Sequence, residues 1–412
     1  MVSEDLPGQR IGGLGKHVVT LANALLEAGH EVAILGRNDT GPDGGAAQIG
    51  FAGRLIGGFD YGHPGWKEWQ LGAFNPLKRP WFARKIGRAI GAHARGFDVV
   101  HYHGHLPMVA LHVDSSLNFV QTRHDQGSEC LIHLRFRADE VCATTSARDC
   151  GACICAQPGR LRQAVSALAV DRYRGQAAAA FARHKTIFVS DFLRRQFLRA
   201  VPGADLSRCI VIHNFVAGAH LARLAAQEQK ADAGRILLTG RIDAGRILLT
   251  GRIDAGKGFR EFLRESAHRL PPGVSVGIVG DGPGRMALKC LYESARIQFL
   301  GWKQYDQAIR LAARSRLCVV PSVCEEACST TVLEALALGK QCVALARGGT
   351  PELAAFQLYD GQLQLADNMP QLVDLALALA LRPAPAAPAS TPFGADAALV
   401  LPKLLECYAE RA

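Results

Sequence analysis

Short apolar runs alternate with amphipathic stretches along nearly the whole chain, which predicts βαβ units around parallel sheets. In the first half, Glu31–Leu35, Asp98–Tyr102, Leu117–Thr122 and Thr186–Val189 read as buried strands. A helix from about Gly15 to Ala28 sets Val18, Val19, Ala22, Leu25 and Leu26 on one face. In the second half, Arg246–Thr250, Val274–Val279, Ile297–Leu300, Leu317–Val320 and Gln341–Leu345 repeat the strand pattern. The joint falls near Cys209–Val216, where a strand gives way to an Ala-rich polar stretch ending at Ala233. The expected division is an N-terminal domain over 1–214 and a C-terminal domain over 215–381. A Pro/Ala stretch, Arg382–Pro392, then leads to a last helix, Ala398–Glu410; residues 398–412 are expected to pack back on the N-terminal domain.

Two irregularities stand out. A glycine loop at Gly12–Gly15 should follow a whole strand, yet few residues precede it, so a start a few residues upstream is expected. The eleven residues AGRILLTGRID occur twice without a change, at 233–243 and 244–254. Repeats of solenoid folds are longer and diverge, so this is read as a tandem duplication or a sequence error. A sheet has one slot for the strand, and the second copy, which runs on into Gly256-Lys257-Gly258, is expected to fill it.

Composition adds limits. At 412 residues, with 49% hydrophobic and 20% charged, the chain has room for two cores and an ordinary globular balance. No apolar run reaches the length of a membrane span, and acids stand at the N-terminus where a signal peptide would carry bases, so a soluble cytoplasmic chain is expected. The formal charge of +10 suits an anionic ligand or surface. Basic residues are not interleaved with aromatics, so no nucleic-acid partner is expected.

The chemistry-bearing residues lie at predicted strand ends. The strand Ile247–Thr250 runs into GRIDAGKG (251–258), which sets Arg252 and Lys257 where open α/β sheets bind ligands. Two cations among glycines suit a diphosphate. Downstream, PSVCEEACSTTVLEALALG (321–339) carries Glu326 and Glu334, with seven residues between them, Glu326 in a loop and Glu334 one or two turns into a helix. Carboxylates so placed can accept hydrogen bonds from sugar and ribose hydroxyls. Each feature has a structural alternative: solvated loop charges, a capping or surface glutamate, a tight glycine turn. His101, His103 and His105 alternate along a strand end without an evident carboxylate partner, and structural hydrogen bonding is preferred there over zinc.

These motifs resemble glycosyltransferase family 4. GRIDAGKG, GDGPGR (280–285), FLGW (299–302), the Glu-x7-Glu pair and ARGGTPEL (346–353) stand in that family's order and spacing. In the first half, GGLGKHV (12–18), DVVHYHGH (98–105), QTRHD (121–125), VSDFLRR (189–195) and VIHNFV (211–216) agree, so the resemblance spans about 8 to 355. It implies an α/β chain of two Rossmann-like domains facing a central cleft (GT-B), and a retaining transfer of a sugar from a nucleotide-diphosphate sugar to a glycan or glycolipid acceptor, as in cell-surface polysaccharide biosynthesis. By the resemblance, Arg252 and Lys257 hold the diphosphate, Glu334 the ribose and Glu326 the transferred sugar. Gly348 and Gly349 open a helix that faces the phosphates, Gly13 and Gly15 let backbone approach donor or acceptor, and His124, beside Asp125, lies over the reacting sugar. A catalytic metal is not expected, as the chain lacks an Asp-x-Asp.

Twelve cysteines are many for such a chain. Seven read as small buried hydrophobes, but Cys130, Cys142, Cys150, Cys153 and Cys155 cluster in an insertion, about 126–160, right after His124. Cys130, Cys142, Cys150 and Cys153 form a candidate structural zinc set; reduced thiols or a disulfide are the alternatives. Between Lys78 and Arg95 six Lys/Arg and no acid occur, and Phe82, Ile86 and Ile90 share a helix face. That helix either packs on the sheet or lies on a membrane surface, as a lipid-linked acceptor would suit. Rival functions are a sugar-nucleotide-binding subunit without catalysis and another GT-B chemistry such as a nucleotide-sugar epimerase.

Overall fold

The computed structural model describes residues 1–6, 12–38, 49–60, 75–154, 159–233, 245–383 and 392–409. The chain divides into two compact units. The first comprises Met1–Arg135, Cys142–Asn214 and Ala397–Ala412; the second comprises Phe136–Val141 and Phe215–Asp396.

Along the first half run β1 (Val2–Ser3), β2 (Ala33–Arg37), β3 (Arg54–Phe59), β4 (Val100–His103) and β5 (Phe119–Arg123), then a short antiparallel hairpin, β6 (Phe136–Arg137) and β7 (Glu140–Val141), then β8 (Lys185–Phe188) and β9 (Cys209–Val211). The hairpin aside, they form a parallel sheet in the order β3-β2-β1-β4-β5-β8-β9. Among the described residues the connecting α-helices are α1 (Gly13–Glu27), α2 (Asn75–His93), α3 (Ala147–Ile154), α4 (Arg160–Arg183) and α5 (Asp191–Ala200). Val2, Leu35, Tyr102 and Phe119 of the strands meet Phe82, Ile86 and Ile90 of α2 and Val170 and Tyr173 of α4 in one core. Phe82, Ile86 and Ile90 are 5%, 1% and 1% exposed, so the face that an interfacial helix would need is spent inside the protein.

The second half supplies β10 (Arg246–Thr250), β11 (Ser275–Val279), β12 (Ile297–Gly301), β13 (Leu317–Val320), β14 (Gln341–Leu345) and β15 (Leu363–Ala366), parallel in the order β12-β11-β10-β13-β14-β15. Around it lie α6 (Gly218–Ala233), α7 (Phe259–Ser266), α8 (Arg285–Tyr292), α9 (Tyr305–Arg314), α10 (Thr330–Ala337) and α11 (Met369–Leu381). Leu249, Phe262, Ile278, Val319, Val343 and Leu372 belong to its core. The second copy of the duplicated segment forms β10 and pairs on both sides; residues 234–243 of the first copy lie outside the described residues. So do Cys155 and residues 384–391 of the Pro/Ala stretch. The last helix, α12 (Ala397–Ala409), belongs to the first unit, where Lys185 Nζ donates to the Cys407 carbonyl at 2.7 Å and Asn118 Nδ2 to that of Tyr408 at 2.7 Å.

Some expectations need correction. β2 starts at Ala33 and runs on through Gly36 and Arg37, because pairing with β3 sets its ends rather than apolarity. β3 itself, RLIGGF, hides its strand character behind two glycines. α1 begins at Gly13, so Gly13 and Gly15 stand in its first turn and not in a loop. Of the seven scattered cysteines, Cys318, Cys324, Cys328, Cys342 and Cys407 are buried, but Cys209 on the edge strand β9 is half-buried and Cys290 on α8 is exposed. Among the described residues no helix is long and apolar enough to cross a membrane.

Candidate active site

In the second unit the strand order reverses between β10 and β13, the point where parallel sheets open a crevice at the carboxyl ends of their strands. Three loops meet there. After β10 the chain turns through Asp254, whose carboxylate accepts the Lys257 amide at 3.2 Å, into a 3-10 turn over Ala255–Lys257. Gly258 then takes φ +67°, and a Cβ on it would stand 1.9 Å from the Pro321 carbonyl, so only glycine fits against the end of β13. The Gly256 carbonyl accepts the Cys324 amide at 3.0 Å, which ties the β10 loop to the loop after β13. On the other side Gly282, at φ +155°, lets the GDGPGR loop lie against the main chain of Ile253.

Lys257 and Glu326 meet directly: Nζ donates to Oε1 at 2.8 Å. The Ser322 hydroxyl donates to the same oxygen. Burial pushes the Glu326 carboxyl up, yet the Lys257 ammonium and these hydrogen bonds hold it below its ordinary value. Burial also pulls Lys257 down, and Glu326 more than offsets that, so its pKa is raised. Both groups are charged at neutral pH.

The other expected donor-site residues are placed differently. Arg252 turns to Asp254, an ion pair with the arginine side chain 63% exposed. Glu334 stands in α10 and hydrogen-bonds Tyr305; burial first, then this carboxylate, raises the phenol's pKa. Gly348 takes φ +60°, with no room for a Cβ, which would lie 2.3 Å from the Glu326 carbonyl. Gly349 donates its amide to that carbonyl at 2.7 Å. The helix expected after them is a seven-residue 3-10 segment, Thr350–Phe356. The Gly349 amide is therefore engaged within the protein.

In the first unit, His124 follows β5 and lies against the end of β4. Its Nε2 is 3.1 Å from His103 Nδ1, and its ring meets that of His17 of α1 edge-on at 4.7 Å. Burial lowers the pKa of all three, to about 4 for His17 and well below the ordinary range for His103 and His124, so the rings are neutral near pH 7. His101 is tied on both nitrogens, 2.7 Å from the Tyr408 hydroxyl and 2.7 Å from Thr122 Oγ1. A carboxylate partner, unforeseen from sequence, serves His105: Asp125 Oδ2 lies 2.5 Å from its Nδ1. Gly15 is buried, while Gly13 is exposed with nothing near its missing side chain.

Two groups among the described residues bring three ligand atoms close enough to hold a metal ion: His17, His103 and His124, and His105, Asp125 and His133. Cys130, Cys142, Cys150 and Cys153 form no such group. Cys150 Sγ lies 3.3 Å from Arg174 Nη2, and burial pushes the Cys130 thiol up to about 11. Sequence reasoning missed His17, His133 and Tyr305. A histidine on the apolar face of α1 was the one available signal.

The profile of Glycosyltransferase Family 4 matches residues 11–217, half of the chain, and that of Glycosyl transferases group 1 matches 244–380. No curated protein matches by sequence. Among solved structures, HepE of Anabaena in complex with UDP and glucose is similar at a TM-score of 0.56 and 16% identity, covering 98% of each chain. Sucrose-phosphate synthase of Thermosynechococcus elongatus gives 0.60 and 18%, covering 92% of this chain and 90% of that one. The catalytic domain of starch synthase IV of Arabidopsis thaliana, bound to ADP and acarbose, gives 0.61 and 14%, covering 99% and 97%. At such identities the likeness carries the fold, a GT-B arrangement of two parallel-sheet units. On its sequence the chain belongs to glycosyltransferase family 4.

Proposed function

We propose that this glycosyltransferase moves a sugar, with retention at the anomeric carbon, from a nucleotide-diphosphate sugar to a glycan or lipid-linked acceptor. The observation that carries the reading is the Lys257–Glu326 ion pair at the reversal point of the second sheet, walled by Gly258 and Gly348. A diphosphate drawn to that crevice meets the Lys257 ammonium and can recruit Arg252 from Asp254. As the bond from the anomeric carbon to the diphosphate oxygen breaks, its electron pair goes to the phosphate, where these cations offset the charge, while the acceptor hydroxyl oxygen bonds the anomeric carbon and its proton passes to the departing phosphate oxygen. Glu326, charged and held, accepts from hydroxyls of the transferred sugar, and Glu334 from the ribose. Uncharged His124 offers a neutral donor or acceptor to a sugar hydroxyl on the acceptor side. UDP, present with HepE of Anabaena, makes a uridine donor the first to try.

The closing test is a panel of nucleotide sugars scored for thermal stabilisation, followed by NMR of the anomeric proton in the product. Stabilisation by a nucleotide sugar and a product of unchanged anomeric configuration are expected. An inverted product would refute retention, and binding without turnover would favour a sugar-nucleotide-binding subunit.

A further inference from the structure

His124 stands between two residues whose side chains are held by several bonds, Arg123 in the interior and Asp125 half-buried. Arg123, fully buried, donates to the Gly104 carbonyl at 2.7 Å, the His105 carbonyl at 3.1 Å and Ser128 Oγ at 3.0 Å. On the other side Asp125 Oδ1 accepts the Gly127 amide at 2.8 Å, while Oδ2 lies 2.5 Å from His105 Nδ1 and 3.2 Å from His133 Nδ1.

What fixes His133 is Arg79. Its Nη2 lies 2.5 Å from His133 Nε2, and a guanidinium carries donors only. His133 Nε2 must therefore present its lone pair, and the ring proton sits on Nδ1, on the Asp125 side. That tautomer removes Nδ1 from metal ligation, although His105, Asp125 and His133 are close enough to share an ion. Arg79 is itself fully buried and bonded to the Tyr173 hydroxyl at 3.0 Å and the Leu131 carbonyl at 2.8 Å. Tyr173 in turn donates to the Gly127 carbonyl at 2.5 Å, which closes the network on the turn after His124. Two backbone features agree. His133 is held at φ +65°, in the left-handed region, and a Cβ at Gly127 would stand 2.3 Å from His133 Nδ1 and 2.7 Å from Asp125 Oδ1.

We propose that His133, its tautomer set by Arg79, is a positioning residue that holds the Asp125 carboxylate and, through the 123–128 turn, the His124 ring. The proposal rests on the reading of His124 as part of the transfer site. It gives the segment after His124 a role that does not depend on its cysteines.

The test has two arms. Nitrogen-15 NMR of the imidazoles reads the tautomer without any substrate: His133 is expected as Nδ1–H, and Arg79→Met is expected to release it. In kinetics, His133→Leu should lower kcat by about 10²-fold with donor KM within about twofold, whereas His133→Asn, which keeps a donor at the place of Nδ1, should recover most of the loss. If His133→Leu does not fold, Gly127→Ala intrudes on the same pair and should show the same split. An Nε2–H tautomer, zinc binding that His133→Leu abolishes, or undiminished kcat in a folded His133→Leu protein overturns the proposal. A wild type that transfers no sugar refutes the functional reading instead, and the tautomer still decides the clamp.

Discussion

Lys257 and Glu326 keep each other charged: the ammonium donates at 2.8 Å to a carboxylate whose own main-chain carbonyl takes the Gly349 amide. The glutamate is thus held at both ends, and the lysine points to a fixed place at the reversal of the sheet. Replacing Lys257 by Ala is expected to lower kcat by about 10²–10³-fold, since the charge it meets develops in the transition state. Steady-state kcat and donor KM, measured separately, check this; a change confined to KM would mean that Lys257 only binds the donor.

Gly348→Ala adds a methyl 2.3 Å from the Glu326 carbonyl at a residue with φ +60°. The backbone must shift, at a cost of about 1–3 kcal/mol. Urea midpoints should fall and donor affinity with them. A variant with wild-type values of both would show that the loop around Glu326 tolerates displacement.

Acid should weaken the first unit through its histidines. The folded-state pKa of His17 is about 4 against an ordinary 6.5, so below pH 6.5 the unfolded chain binds the proton that the folded one refuses. Stability contributed in this way is intact above 6.5 and lost as pH falls towards 4. Denaturation midpoints at pH 7 and pH 5 should differ in wild type, and His17→Phe should narrow the difference.

Thiol chemistry should follow burial. Cys290 is the exposed cysteine among the described ones, whereas burial raises the Cys130 thiol to about 11 and that of Cys324 to about 11. Brief treatment of the native protein with iodoacetamide, read by mass spectrometry, should label Cys290 ahead of these two. Earlier labelling of Cys130 would point to an opening of the segment after His124.

Deleting Ala233–Asp243 yields the same sequence as deleting Ala244–Asp254, since the copies are identical. The shortened chain is expected to fold and bind nucleotide sugar as before, by circular dichroism and thermal shift. Loss of cooperative unfolding would give the extra copy a structural use.

The strands of the second sheet were legible because buried parallel strands are continuous apolar runs; Arg246–Thr250, Leu317–Val320 and Gln341–Leu345 end where hydrophobicity ends. The loop that carries Lys257 was legible by its glycines, and the one that carries Glu326 by the Glu-x7-Glu pair that follows a buried strand. What stayed hidden depends on packing between distant positions. Arg79 looked like one more base in a basic helix, yet it lies in the interior, bonded to groups 52 and 94 residues away. The pairing of Glu334 with Tyr305, and of Asp125 with His105, likewise leaves no local trace. Nor did the cysteine spacing reveal that Cys150 faces an arginine.

Gly258 has a bearing on the duplicated stretch. Were the strand drawn from the earlier copy, an eleven-residue slip would bring Arg246 to the station of Lys257 and Ile247 to that of Gly258. A branched side chain cannot take φ +67° beneath the Pro321 carbonyl without strain. One hydrogen in place of a side chain therefore acts as the proofreader between two otherwise interchangeable threadings.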